Sequence, residues 1–312
     1  MHKTALLFAG QGAQTVGMGK DFADASPTAK TWFDRANEVL GYDLASICFN
    51  GPDAELTKTE NAQPAIYLVS WVAFELLKQR VPSLEFHATA GLSLGEFTAL
   101  AAAGALSFEH GLRLVHQRGR FMQEACNATA GAMAAIIGLD EEKTRQVCAE
   151  AGVTLANLNC PGQLVISGEA TKIERAIALA SAAGAKRAVR LAVAGAFHSP
   201  LMASAQPKLK AAIDAVPLQA PRVPVISNVT AQPHGQVEDI RALLVQQLTA
   251  PVRWEQSMRY LLTHGFTRFI EFGPGTVLSG FMKRIDKAAQ IMNVSDAASL
   301  EATAKALADQ TT

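Results

Sequence analysis

The chain has no surplus of either charge: 28 Lys plus Arg face 28 Asp plus Glu across 312 residues. Phosphate-neutralising nucleic-acid binders carry a strong basic excess, so that class is not expected, and neither is a polybasic membrane binder. No 18-residue apolar run is present to span a membrane. Met1-His2-Lys3-Thr4 and the short apolar segment Ala5 to Ala9 lack a signal-peptide layout. Cysteine is scarce: Cys48, Cys126, Cys148 and Cys160 show no C-x-x-C spacing and are too few for a disulfide scaffold. A reduced, cytoplasmic chain is the expectation. What the chain does have is apolar bulk. Hydrophobic residues make up 49% and charged residues 18%, enough for a large core and too apolar for disorder. At ~150 residues per domain, about two domains are expected.

Short apolar runs alternate with helical patterns, the signature of an α/β fold. Thr4 to Phe8 reads as a buried strand leading into the loop Gly10-Gln-Gly-Ala-Gln14. Ser26-Pro27 reads as a helix start and Gly41 as its end. A helix over 63–79, a strand over 86–90, the turn Gly91-Leu-Ser-Leu-Gly95 and an alanine-rich helix from Glu96 follow. Strands over 132–138, 153–158, 164–167 and 187–193, with helices over 141–151 and 171–183, give the order βαββαβ of a ferredoxin-like unit. A small subdomain is therefore placed at 130–196, inserted into a core formed by 1–129 and 197–312. That core gains strands over 223–229 and 266–272, and the last dozen residues read as a frayed helix.

Gly91-Leu92-Ser93-Leu94-Gly95 matches G-x-S-x-G between a strand and a helix, the context that makes Ser93 a candidate nucleophile. The alternative is a structural turn. The Gly10 loop fails both phosphate patterns. Thr15 stands where a dinucleotide fingerprint needs glycine, and Met18 stands where a P-loop needs lysine. An oxyanion hole beside Ser93 and a plain strand-to-helix turn remain. Of seven histidines, His87 is about 20 Å along the strand from Ser93. His198, in Gly195-Ala-Phe-His-Ser-Pro200, lies where the chain leaves the small subdomain and an interdomain cleft would open, which makes it the candidate base. The bland reading is a core or surface histidine.

Arg118 breaks the pattern of its helix. On a wheel at 100° per residue, with Leu112 at zero, Arg118 falls near ~240°, inside the apolar stripe of Leu114, Val115, Phe121 and Met122. A guanidinium there stays charged and needs an anion. A core carboxylate such as Glu96 is one partner. A substrate carboxylate is the other, and beside a serine acyl-transfer site it points to a dicarboxylic acyl group.

Together these residues resemble the malonyl-CoA:acyl-carrier-protein transacylase family, which includes the acyltransferase domains of fatty-acid and polyketide synthases. The resemblance spans nearly the whole chain. It rests on Phe8-Ala-Gly-Gln-Gly-Ala-Gln14, Gln63-Pro64-Ala65, Gly91-Leu-Ser-Leu-Gly-Glu96, Gln117-Arg-Gly-Arg-Phe-Met-Gln123 and Asn157-Leu-Asn-Cys-Pro-Gly-Gln163. It continues through Gly195-Ala-Phe-His-Ser-Pro-Leu-Met202, Gln247-Leu-Thr-Ala-Pro-Val252 and Glu271-Phe-Gly-Pro-Gly275.

The resemblance implies an α/β-hydrolase-like core with the inserted ferredoxin-like subdomain, and ping-pong transfer of malonyl from malonyl-CoA to the thiol of an acyl-carrier protein. Ser93 would be acylated and His198 would be its base. The backbone N–H groups of Gln11 and Leu94 would form the oxyanion hole, and the carbonyl of Gln247 would orient His198. Arg118 would hold the malonyl carboxylate, Asn159 would line the site, and Phe197 would fill the space of an α-methyl group. No metal or redox cofactor is implied, and a monomer is expected. Leu92 stands where many members have histidine, and Cys160 where serine is common. Carrier proteins of this kind are acidic, so Lys186, Arg187, Arg190, Lys283 and Arg284 are candidate docking residues. A serine thioesterase, a carrier-docking subunit without catalysis, and an acyltransferase of a polyketide or malonate decarboxylase system are the alternatives.

Overall fold

A computed structural model describes residues 2–309. Among them the strands are, in chain order, β1 (Lys3–Phe8), β2 (Ala88–Gly91), β3 (Gly131–Ile137), β4 (Thr154–Cys160), β5 (Gln163–Glu169), β6 (Arg187–Arg190), β7 (Val225–Ile226), β8 (Phe266–Phe272) and β9 (Gln290–Val294). The chain divides into two compact units. One is Met1–Gly119 with Val216–Ile226 and Leu261–Thr312; the other is Arg120–Ala215 with Ser227–Tyr260.

The first unit is built on a parallel sheet in the order β7-β2-β1-β8-β9. Numbered within the sheet this is 3-2-1-4-5, a doubly wound α/β arrangement. Parallel strands covered on both faces are apolar throughout, and here Ala5 to Phe8, Phe269, Ile270 and Phe272 are fully buried. Phe8 stacks on Phe272 with ring centroids 5.5 Å apart, and Phe74 meets both rings edge-on. Phe74 belongs to the helix Thr59–Arg80, of which 17 of 22 residues are buried. That helix starts one turn earlier than the sequence suggests, so Pro64 lies inside it.

The second unit contains a four-stranded antiparallel sheet in the order β4-β5-β3-β6. With the helices Glu141–Ala151 and Ala170–Ala182 it forms the ferredoxin-like βαββαβ motif, packed around Ile136, Ile166, Ile173 and Ala180. The turn expected over Asn159–Gly162 is shorter. Strand pairing persists through Cys160 and resumes at Gln163, leaving Pro161-Gly162 as the connection, with Gly162 at φ 67°. Asn159 is thus a strand residue.

Three other elements differ from expectation. β7 pairs over only two residues, and β6 ends at Arg190. β9 carries no sequence signal because it is an edge strand: Gln290, Ile291, Met292 and Asn293 are half-buried, so polar and apolar residues mix without alternation. The C-terminal helix Ala297–Ala308 is capped by Asp296; residues 310–312 of the expected frayed helix lie outside the described residues. Among the described residues no helix is long and apolar enough to cross a membrane. All four cysteines are buried, and none forms a disulfide among the described residues.

Doubly wound sheets bind ligands beyond the carboxyl ends of their strands, where the strand order reverses. In this sheet the reversal falls at β1 and β8, and the chain sets its own anion there. Glu271, near the end of β8 and 1% exposed, accepts hydrogen bonds from the backbone N–H groups of Leu278 (2.9 Å) and Ser279 (2.7 Å). These N–H groups open the helix Val277–Ile285 and have no partner within it. Burial pushes the Glu271 carboxyl above the usual range, opposed by those hydrogen bonds. Glu271→Ala is expected to cost about 1–3 kcal/mol of stability, measured as a lower urea midpoint.

Candidate active site

Ser93 sits at the turn between β2 and the helix Gly95–Ala102, half-buried and at φ 53°. A left-handed φ at a residue other than glycine is strained, and here close packing holds it. A Cβ on Gly91 would lie 1.9 Å from the Gly95 carbonyl carbon, and one on Gly95 would lie 2.2 Å from the Phe8 carbonyl oxygen. The two glycines of G-x-S-x-G are therefore required by backbone crossing backbone. Leu92 N–H donates to the Phe8 carbonyl (3.1 Å), and Glu96 N–H donates to the Ser93 carbonyl (3.1 Å). Leu94 is at the helix start, where N–H groups find no intrahelical acceptor.

The loop after β1 is folded against the same turn. A Cβ on Gly10 would lie 2.5 Å from the Leu92 carbonyl oxygen. Gly12 N–H donates to Gln14 Oε1 (2.7 Å) and Ala13 N–H to the Gly10 carbonyl (3.3 Å). The loop is thus shaped by the two N–H groups that follow Gln11.

Arg118, on the helix Phe108–Ala128, is 1% exposed. Its Nη2 donates to Ser93 Oγ (3.1 Å), and its Nη1 donates to Gln63 Oε1 (2.7 Å). Its Cζ lies 5.6 Å from the Phe97 ring centroid. Burial lowers its pKa to about 10 and the nearby Glu96 carboxylate opposes that shift, so the group stays charged at neutral pH. Glycines let the helix Phe108–Ala128 come this close to Thr59–Arg80. A Cβ on Gly119 would lie 2.5 Å from the Thr59 carbonyl oxygen, and one on Gly111 would lie 2.2 Å from the Tyr67 hydroxyl.

In the second unit, His198 is 4% exposed and at φ 56°. Its Nδ1 lies 2.8 Å from the Gln247 carbonyl oxygen. A carbonyl only accepts, so Nδ1 carries the proton and Nε2 of the neutral ring is the acceptor. Gln247 caps the C-terminal end of the helix Val237–Gln246, where carbonyls lack intrahelical partners and the helix dipole is negative. Gln206 Nε2 takes the Val245 carbonyl at the same helix end (3.3 Å). Ser199 fixes the turn by donating from Oγ to the Ala196 carbonyl (2.6 Å) and capping Pro200–Ala205. Phe197 is buried at 6% exposure. Asn159 is equally buried, and its Oδ1 has no hydrogen-bond partner among the described residues. Beside it, Leu158 N–H donates to the Val252 carbonyl (2.9 Å), which ties β4 to the segment after Gln247.

The structure therefore groups Ser93, Leu94, Arg118 and Gln11 in the first unit, and His198, Gln247, Phe197 and Asn159 in the second. Sequence reasoning assigned no role to Gln63. It is one of several polar residues buried on the helix Thr59–Arg80, and its partner becomes visible only once the two helices are packed. Of the candidate docking residues, Lys186, Arg187, Lys283 and Arg284 are exposed, and Arg190 is ion-paired with Glu174 at 3.0 Å.

Residues 5–310 match the family described as acyl transferase domain. The chain is 48% identical to the malonyl CoA-acyl carrier protein transacylase of Bacillus subtilis (strain 168), covering 99% of both chains. It superposes with a TM-score of 0.94 on the acyl-carrier-protein-S-malonyltransferase of Bartonella henselae, at 40% identity and covering 98% of this chain and 99% of that one. The same TM-score and identity relate it to a malonyl-transacylase solved in complex with its type II PKS acyl-carrier protein, covering 97% and 99%.

The elbow's packing sets a stability test. Gly95→Ala pushes on the Phe8 carbonyl that Leu92 N–H uses, and is expected to cost about 1–3 kcal/mol, read as a lower urea midpoint with an unchanged slope.

Proposed function

The chain belongs to the acyl transferase domain family, and on that footing we propose that it moves a malonyl group from malonyl-CoA to the phosphopantetheine thiol of an acyl-carrier protein in fatty-acid synthesis. The observation that carries this reading is the 3.1 Å hydrogen bond from Arg118 Nη2 to Ser93 Oγ. A nucleophile touching a buried cation suits an acyl group that brings its own anion.

In the proposed reaction, Ser93 Oγ attacks the thioester carbon and His198 Nε2 takes the hydroxyl proton. The backbone N–H groups of Gln11 and Leu94 hold the developing oxyanion. The C–S bond breaks, and CoA leaves as the thiol with the proton from His198. The carrier thiol then gives its proton to His198 and attacks the malonyl-serine ester. Ser93 leaves with that proton, and the malonyl thioester forms on the carrier. The Gln247 carbonyl at the helix end keeps His198 in the required tautomer and supports the imidazolium while it carries the proton. Arg118 pairs with the free carboxylate throughout, Phe197 occupies the space an α-methyl group would need, and Asn159 offers its amide to the acyl site. The carrier contacts of this reading are Lys186, Arg187, Arg190, Lys283 and Arg284.

On this reading 130–196 is the small subdomain, 1–129 with 197–312 is the catalytic core, and the chain works as a cytoplasmic monomer. The residues named supply the nucleophile, the proton carrier and the oxyanion donors, so each step is complete without a metal or redox group.

Intact-mass measurement after mixing with malonyl-CoA is expected to show one malonyl adduct, absent in Ser93→Ala. CoA release without an adduct indicates a hydrolase instead, and no reaction indicates a docking subunit. Arg118→Ala is expected to cost ~2–5 kcal/mol in kcat/KM for malonyl-CoA and less for acetyl-CoA. Equal losses for the two acyl groups would refute the carboxylate role.

A further inference from the structure

A guanidinium has only donors, and this gives a direction to every hydrogen bond connected to Arg118. Nη1 donates to Gln63, so the Gln63 amide must present Oε1 to it, at 2.7 Å. Gln63 Nε2 then faces Gln11 Oε1 (3.4 Å), which leaves Gln11 Nε2 to face Thr59 Oγ1 (3.4 Å). Gln63 and Thr59 are both fully buried, so water does not compete at either of them. The chain of bonds passes through Gln11, whose backbone N–H is the proposed oxyanion donor, and ends on Thr59.

We propose that Gln63 is a positioning residue for acyl transfer: it aims the Arg118 guanidinium at Ser93, and its second hydrogen bond ties that aim to the Gln11 loop. The choice of side chain follows from the geometry. The middle member must accept from a cation on one side and donate to an amide oxygen on the other. A glutamine amide does both; a glutamate carboxylate accepts only. Glutamate would also place a fixed negative charge 2.7 Å from Nη1, in permanent competition with the acyl carboxylate. An amide orients the cation and leaves its charge for the substrate. Asparagine is one methylene too short to span the same gap from the helix Thr59–Arg80.

The inference rests on the malonyl-transfer reading and is tested apart from it. Gln63→Glu and Gln63→Met keep the length of the side chain. Both are expected to lower kcat/KM for malonyl-CoA roughly tenfold more than for acetyl-CoA, the scale of one charge-assisted hydrogen bond, with the loss in KM more than in kcat. A malonyl-to-acetyl ratio equal to wild type in the variant that folds, with wild-type Ser93 still taking malonyl, overturns the role and spares the function. A second readout needs no acyl group. In ¹⁵N spectra, rotation about the Arg118 Cζ–Nη1 bond is expected to be slow in the wild type and faster in Gln63→Met. Identical rotation in the two proteins overturns the proposal even if malonyl transfer itself fails.

Discussion

Burying a guanidinium is among the costlier things a fold does, and the arrangement around Arg118 follows from making that tolerable. The side chain is 1% exposed on a helix whose other inward residues are apolar. Two helices must approach closely enough for their side chains to bond it, which is why Gly111 and Gly119 face Tyr67 and Thr59 without a Cβ between them. Neutral oxygens on Gln63 and Ser93 accept from its two terminal nitrogens, and the Phe97 ring lies against its carbon. Glu96 lies close enough to favour the charged form. These partners hold the cation in one orientation, with Nη1 on Gln63 and Nη2 on Ser93.

The histidine of the second unit is handled in the complementary way. A buried carboxylate is the familiar means of orienting a catalytic imidazole, and it carries its own desolvation cost. Here a backbone carbonyl at a helix C-terminus supplies the acceptor. It contributes partial negative charge without a full charge to bury. The acceptor is a main-chain atom, so many residue types at position 247 would supply it equally.

Sequence legibility follows the same physics. Ser93 could be found because backbone crossing backbone tolerates only glycine at 91 and 95, which leaves a spaced signature in the text. Arg118 could be found because a charge on an apolar helix face violates periodicity. The βαββαβ order could be found because each element is long and internally patterned. Gln63 could not be assigned a role from sequence, since a buried amide looks the same whether it bonds a neighbour or a functional cation. Its meaning lies in helix packing. β9 was hidden because an edge strand needs no apolar run, and the Pro161-Gly162 connection because strand pairing extends past the residues that look like turn formers. The capping role of Glu271 was hidden because its partners are backbone groups of residues seven and eight positions later.

That capping carboxylate changes what the sheet can be used for. Doubly wound folds commonly keep the helix N-terminus at their reversal point free for a phosphate, and many of their functions descend from that vacancy. This chain closes the vacancy from within, because the Glu271 side chain takes the N–H groups a nucleotide would seek. Ser93 stands one strand away, on the turn after β2. A tethered carboxylate never dissociates, so these two N–H groups are occupied whatever the solution around them contains.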